Sequence, residues 1–162
     1  ILNLKKDLLV KTLKKFKGLK YRQEIIFQSK KLTIINDSKA TTFSSSASLL
    51  RSLTNVIWIV GGQAKRGDKL LLSKKNCKNI KAYIFGANVN FFKSKIKKLM
   101  KYESFQDLKS LVKKLSLEIK LDKNKIHKTI LFSPSAASFD NFKNFEKRGE
   151  YFNQLIKKYI NV

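Results

Sequence analysis

The sequence predicts an α/β fold: three layers, α/β/α, around a mainly parallel sheet, with an N-terminal hairpin contributing one antiparallel strand. Three observations lead there. Apolar runs such as Val56-Ile57-Trp58-Ile59-Val60 lack the alternation of a half-solvated strand, as expected of a strand covered on both faces. Such runs alternate with stretches of helical periodicity, the pattern of strand–helix–strand units. Near the N-terminus, the strand-like runs Glu24–Phe27 and Leu32–Ile35 are separated by Gln28-Ser29-Lys30-Lys31, the spacing of a hairpin.

The elements follow in order. Leu4, Leu8, Leu9, Leu13 and Phe16 make an apolar stripe at helical spacing over residues 4–16, and Gly18 ends it. A polar connector, Lys20-Tyr21-Arg22-Gln23, leads into the hairpin. Ser44–Leu53 is expected to be helical, with serines at its start and Ala47, Leu50 and Leu53 on one face. Val56–Val60 and Ala82–Phe85 read as strands, and Asp68–Ser73 between them as a short helix or turn. Asn88 is expected to cap a helix bearing Val89, Phe92, Ile96 and Leu99. Ser104 is expected to cap another, bearing Phe105, Leu108, Leu111, Val112 and Leu115. Thr129–Phe132 is the last strand. A helix over about 141–160 then aligns Phe142, Phe145, Phe152, Leu155, Ile156 and Tyr159.

With 43% hydrophobic residues in 162, the chain has enough apolar material for one well-cored domain. The formal charge of +25 is carried almost wholly by lysine, since Arg22, Arg51, Arg66 and Arg148 are the only arginines. Lysines dispersed along the chain read as solvated helix faces, and arginine is the stronger reader of bases and phosphates. Nonspecific affinity for nucleic acid at low salt still follows from the field, and a basic nucleic-acid-binding α/β module is the alternative reading. A single cysteine, Cys77, excludes an internal disulfide; with a single histidine, His127, it argues against a zinc site or a Ser/His/Asp triad. No apolar run approaches the roughly 18 residues of a membrane span. No secretory signal is evident, so a cytoplasmic location is expected. The chain begins at Ile1 rather than Met, as a fragment or processed chain would.

In a parallel sheet the loops leaving the carboxyl ends of the strands share one edge, and ligands bind there. Three such loops are polar: Asn36–Thr42, Gly61–Asp68 and Ser133–Asp140. Together they offer ammonium groups, hydroxyls and an expected helix N-terminus near Asp140–Phe142, a set suited to a small anion. Taken singly, each is also ordinary turn chemistry. Gly61-Gly62 lacks the Gly-Lys-Ser/Thr ending of a phosphate loop, and no dinucleotide fingerprint is present.

The order of these motifs adds a resemblance. Asn36-Asp37-Ser38-Lys39-Ala40-Thr41, then Gly61-Gly62 with Lys65, then Ser133-Pro134 running through Ala137-Ser138-Phe139-Asp140, Phe142-Lys143-Asn144-Phe145-Glu146 and Arg148-Gly149, resemble the UDP-N-acetylmuramoyl-L-alanine–D-glutamate ligases (MurD) of the Mur ligase family. Phe16-Lys17-Gly18-Leu19-Lys20-Tyr21-Arg22-Gln23-Glu24 is similar to that family's junction between central and C-terminal domains. Thr42 stands where the family usually has Asn, and Tyr21 where it commonly has His.

The resemblance implies a Rossmann-like C-terminal, amino-acid-binding domain over 23–162, preceded at 1–22 by the tail of the central ATPase domain and a linker. It implies a monomeric, cytoplasmic enzyme of peptidoglycan synthesis, acting in cell-wall biogenesis, cell shape and division. ATP with Mg2+ activates the alanine carboxylate of UDP-N-acetylmuramoyl-L-alanine as an acyl phosphate, which the D-glutamate amine then attacks. Lys39, Thr41, Lys65, Ser138, Phe139 and Phe145 are implied to hold D-glutamate, with Asp37 and Arg22 facing the nucleotide. Catalytic and metal-binding residues are implied to lie in domains outside this chain, leaving it inactive alone. No specific nucleic acid and no membrane are expected as partners.

Overall fold

The computed structural model describes residues 5–16, 18–124 and 126–161. Leu4 of the first predicted stripe and Lys17 of the junction motif lie outside those residues. The elements are α1 (Lys6–Lys15), β1 (Glu24–Gln28), β2 (Leu32–Asn36), α2 (Phe43–Ser52), β3 (Val56–Gly61), β4 (Ile80–Phe85), α3 (Val89–Ile96), β5 (Lys101–Ser104), α4 (Leu108–Leu121), β6 (Lys128–Phe132) and α5 (Phe145–Tyr159). The strands form one six-stranded sheet in the order β1-β2-β6-β3-β4-β5. The β1–β2 hairpin is antiparallel, and every other pairing is parallel. This is the mixed α/β architecture that the sequence predicts.

Side-chain alternation along the central strands builds the two outer layers. Trp58 and Val60 of β3 pack into a cluster with Phe43 and Leu50 of α2 and Phe92 and Ile96 of α3. Ile59, between them, faces the opposite cluster with Leu111 and Leu115 of α4 and Phe152 and Ile156 of α5. Because β3 is covered on both faces, its residues read as a continuous apolar run. Truncating one of these fully buried leucines to alanine costs about 2–5 kcal/mol. α1 keeps the predicted stripe but buries none of it: Leu8, Leu13 and Phe16 are exposed.

Four local expectations are corrected. β5 is an extra strand that the apolar pattern does not announce, because Lys101-Tyr102-Glu103-Ser104 lies at the sheet edge and is mostly solvated. Ser104 ends that strand, and α4 is capped by Asp107, whose carboxylate accepts from Ser110 N in a reciprocal capping box. Residues 68–73 form no helix; the turn lies at 74–79. The last helix starts at Phe145 with Asn144 as its cap, so Asp140–Phe142 is a turn and not a helix N-terminus.

Candidate functional site

Strand order brings the three polar loops together. β6 lies between β2 and β3, so the loops that follow these strands are neighbours on one edge although they are far apart in the chain. The β3 loop and the β6 loop are tied by paired backbone bonds, Gln63 N to Ala137 O and Ala137 N to Gln63 O, both 3.0 Å. Gly62 makes this approach possible, since a Cβ there would lie 2.8 Å from Ala137 O; Gly61 brings the same loop against β4. Its φ is +143°, and a Cβ there would lie 2.0 Å from Phe85 O.

A buried cation locks the edge from below. Arg148 of α5 has no solvent exposure. Its Nε donates to Ser38 Oγ at 3.1 Å, Nη2 to Ser38 O at 2.7 Å and Nη1 to Ala136 O at 2.9 Å. One side chain therefore holds the loops after β2 and β6 in register. Burial pushes its pKa down to about 10, against the opposing pull of Asp140, so it remains a cation at neutral pH. In the sequence Arg148 stands out only as part of a motif. Its spacing was informative nonetheless: it stands on the same helical face as Phe152 and Leu155.

A buried hydroxyl network continues the lock. Ser46 Oγ lies 2.6 Å from both Ser133 Oγ and Ser135 Oγ, and Trp58 Nε1 donates to Ser133 O at 2.8 Å. Ser133 Oγ donates to Asp37 Oδ2 at 2.8 Å, and Gln23 N donates to Asp37 Oδ1 at 3.1 Å. Burial raises the Asp37 pKa above the usual carboxylate value, opposed by these two donors and by Arg22. Asp37 thus joins the connector before β1 to the β6 loop. Tyr21 and Gln23 of that connector both adopt positive φ, 61° and 51°. Gly149 lets it approach, since a Cβ at that position would lie 2.4 Å from the Tyr21 ring.

The expected ligand residues fall into three groups. Thr41, Lys65 and Phe139 line one cavity of about 350 Å³, together with Thr42, Gln63, Ala64 and Ala137. Arg22, Asp37 and Lys39 line an adjoining cavity of about 400 Å³, which shares Thr41 with the first. Ser138 and Phe145 line neither. Ser138 is buried beneath the turn, its carbonyl accepting from Asn141 N and Phe142 N. Phe145 lies under Lys39, whose ammonium sits 4.1 Å from the ring centroid. Lys65 is exposed and forms no ion pair among the described residues.

Two other residues shape the loops. Asn88, expected as a cap, makes no capping bond; its Oδ1 accepts from Ala64 N at 2.8 Å and steadies the backbone next to Lys65. Thr42 is the N-cap of α2, accepting from Ser45 N, and Phe43 N donates to Asp68 Oδ2 at 2.8 Å. The arrangement can present ammonium and hydroxyl donors to a small anion from loops held rigidly by buried bonds. No described helix is long and apolar enough to cross a membrane, and no group of three or more His, Cys, Asp or Glu among the described residues could hold a metal ion.

No protein-family model matches the chain. Its sequence is 37% identical over 151 residues to a UDP-N-acetylmuramoylalanine–D-glutamate ligase of Francisella philomiragia, covering 91% of this chain and 35% of that protein. It is 35% identical over 158 residues to the enzyme of that name from a Wolbachia of Brugia malayi, covering 98% of this chain and 31% of that protein. The Francisella tularensis enzyme of the same name is 36% identical over 151 residues. The chain therefore spans about a third of the length of the curated relatives it matches. By sequence over nearly all of its length, the chain belongs to the family of the UDP-N-acetylmuramoylalanine–D-glutamate ligases, matching a C-terminal part of them.

Proposed function

We propose that this chain is the D-glutamate-holding part of an ATP-dependent ligase that joins D-glutamate to UDP-N-acetylmuramoyl-L-alanine in peptidoglycan synthesis. The observation that carries the reading is the convergence of Thr41, Lys65 and Phe139 on one cavity, with Lys39 in the next, from loops the sheet topology makes adjacent. Residues 23–162 are the amino-acid-binding domain, and residues 1–22 the tail of a central ATPase domain with its linker.

Each residue has a separate task. Lys65 and the Thr41 hydroxyl donate to one carboxylate of D-glutamate. Lys39 is the counter-charge for the second, and Phe145 beneath its ammonium restricts where that charge can sit. Ser138 and Phe139 set the backbone turn against which the ligand rests. Arg22 is exposed at the mouth of the second cavity, beside Lys39, and fits a nucleotide phosphate. Asp37 fits a nucleotide less directly, because both of its oxygens already accept protein donors. ATP supplies the activation of the acceptor carboxylate as an acyl phosphate. This chain contributes the position and orientation of the attacking amine, which is worth a large part of such a barrier.

Lys65→Ala in a ligase carrying this chain as its C-terminal part tests the reading. Losing one charge-assisted bond of about 1.5–3 kcal/mol raises the KM for D-glutamate by about 10- to 150-fold, with the KM for ATP unchanged. An unaltered KM removes Lys65 from the site. The chain by itself carries no phosphate loop and is expected to turn over no substrate; D-glutamate-dependent ATP hydrolysis by this chain alone overturns that expectation.

A further inference from the structure

A cavity larger than the two at the candidate site lies elsewhere. It measures about 630 Å³ and lies at the opposite edge of the sheet, where β3, β4, β5 and β6 begin. Val56, Ile80, Leu99, Met100 and Ile126 provide an apolar lining, while Lys78 and Lys101 stand among them. Lys97 and Lys98 extend the basic rim along the start of β5.

The charge at this edge is compensated only in part, by Glu118 in the cavity lining, Glu103 beside Lys101 and Asp122. Glu103 and Glu118 both bind Lys81, and Asp122 binds Lys128. Lys78, Lys97, Lys98 and Lys101 are exposed and pair with no carboxylate among the described residues. The turn over 74–79, which enters β4, adds Lys74 and Lys75 without a single acid. The candidate-site edge differs in degree: Asp37, Asp68, Asp107 and Asp140 stand among its cations, while each acid at the lysine edge is already paired. The tertiary fold thus brings to one edge two lysine runs, over 74–78 and 97–101, that stand apart in the sequence.

We propose that this edge binds the backbone of a single-stranded nucleic acid, with the apolar cavity receiving an unstacked base. A row in which lysines outnumber the carboxylates beside them, those carboxylates being taken by Lys81 and Lys128, matches a linear polyphosphate. A cavity of this size within the row suits a strand whose bases can be splayed out, which a duplex keeps stacked. No arginine lies among the cations of the row, so binding is independent of sequence. The surface is separate from the D-glutamate site and does not depend on that reading.

The test compares location at constant charge. Binding of this chain to a fluorescent single-stranded RNA oligonucleotide is followed by anisotropy across a salt titration. One variant carries Lys97→Gln, Lys98→Gln and Lys101→Gln; the other carries Lys11→Gln, Lys14→Gln and Lys15→Gln on the exposed face of α1. The edge variant is expected to bind about tenfold or more weakly at low salt, its salt slope reduced by about 2, or 0.7 for each of three lost phosphate contacts. The α1 variant is expected to lose less than about threefold. Equal weakening of the two variants means that net charge alone binds RNA, and overturns the proposal. Equal affinity of the unmodified chain for inorganic polyphosphate of matched length removes the base-binding cavity. D-glutamate in excess leaves the anisotropy unchanged; displacement of the RNA by it overturns the separation of the two surfaces.

Discussion

The two edges of one sheet are built on opposite principles. At the edge where the parallel strands end, the loops are fastened from within. Arg148, Asp37, Ser133 and Asn36 are buried, and each is bonded to a loop or helix that arrives from a distant part of the chain. At the edge where the strands begin, the polar groups are outside: lysines on turns, over a cavity with an apolar lining. A buried polar network is costly unless every member is satisfied, and no buried side-chain polar atom in the described residues lacks a partner. Such a network belongs where geometry must be kept to a fraction of an ångström. A solvated row of like charges keeps no geometry; it supplies a field. The contrast teaches that orientation chemistry needs the first edge, while the second suits a flexible polyanion.

The comparison breaks most sharply at Arg148. Arg148→Ala leaves Ser38 O and Ala136 O buried without a donor and opens a cavity, for a loss of about 3–5 kcal/mol in urea denaturation. Replacing Lys97, Lys98 and Lys101 together with Gln moves the same measurement by less than about 1 kcal/mol. Similar losses for the two would erase the distinction between the edges. Arg148→Lys does not restore stability, because one ammonium cannot reach three acceptors arranged for a planar fork.

Gly61→Ala is next. Its Cβ meets the backbone of β4 and not a movable side chain, so the loss is about 2 kcal/mol or more. The change should also disturb the Gln63–Ala137 pairing, read as faster amide exchange at those two positions. Unchanged exchange would show that the loops are fastened elsewhere. Asp107→Ala removes the α4 capping box, for about 1 kcal/mol. The Ser110 N–H holds Asp107 below the usual carboxylate pKa. Its stabilisation is therefore present above that usual value and is lost as pH falls through the lowered one.

Asp37 gives the smallest effect and the opposite sign. Its pKa is raised by burial, so the folded state holds that proton to higher pH than the unfolded chain does. Stability falls as pH climbs from the ordinary carboxylate value to the raised one, and is constant beyond it. Asp37→Asn should flatten that segment of the stability–pH curve and change stability at neutral pH by less than about 1 kcal/mol. A curve unchanged by the substitution would mean that Asp37 titrates as an ordinary solvated carboxylate.

How much was legible beforehand depended on the range of the interactions. α2, β3, β4 and β6 were readable because burial on one or two faces imposes a local period on the chain. β5 was not, since an edge strand held by backbone bonds to β4 requires no apolar pattern. Ser104 is the cap that the local pattern suggests, but β5 claims it and Asp107 caps α4 instead. Asn88 sits at a cap position, but a backbone amide 24 residues earlier takes its side chain. At the candidate site, the motif order pointed to Thr41, Lys65 and Phe139, whereas the burial of Ser138 and the stacking of Lys39 on Phe145 depend on a turn and a helix start that periodicity misplaces.

Patterning and motif order are properties of a line of residues, so they suffice for the layered α/β class, the hairpin at its start and the resemblance to the ligase family. Strand order is not written in that line: it is the fold that inserts β6 between β2 and β3 and so makes one cavity from separate loops. The fold also makes Arg148 internal, and divides the lysines unequally between two edges. Those outcomes rest on contacts between residues roughly a hundred positions apart, whose pairing depends on strand order and leaves no periodic trace in the chain.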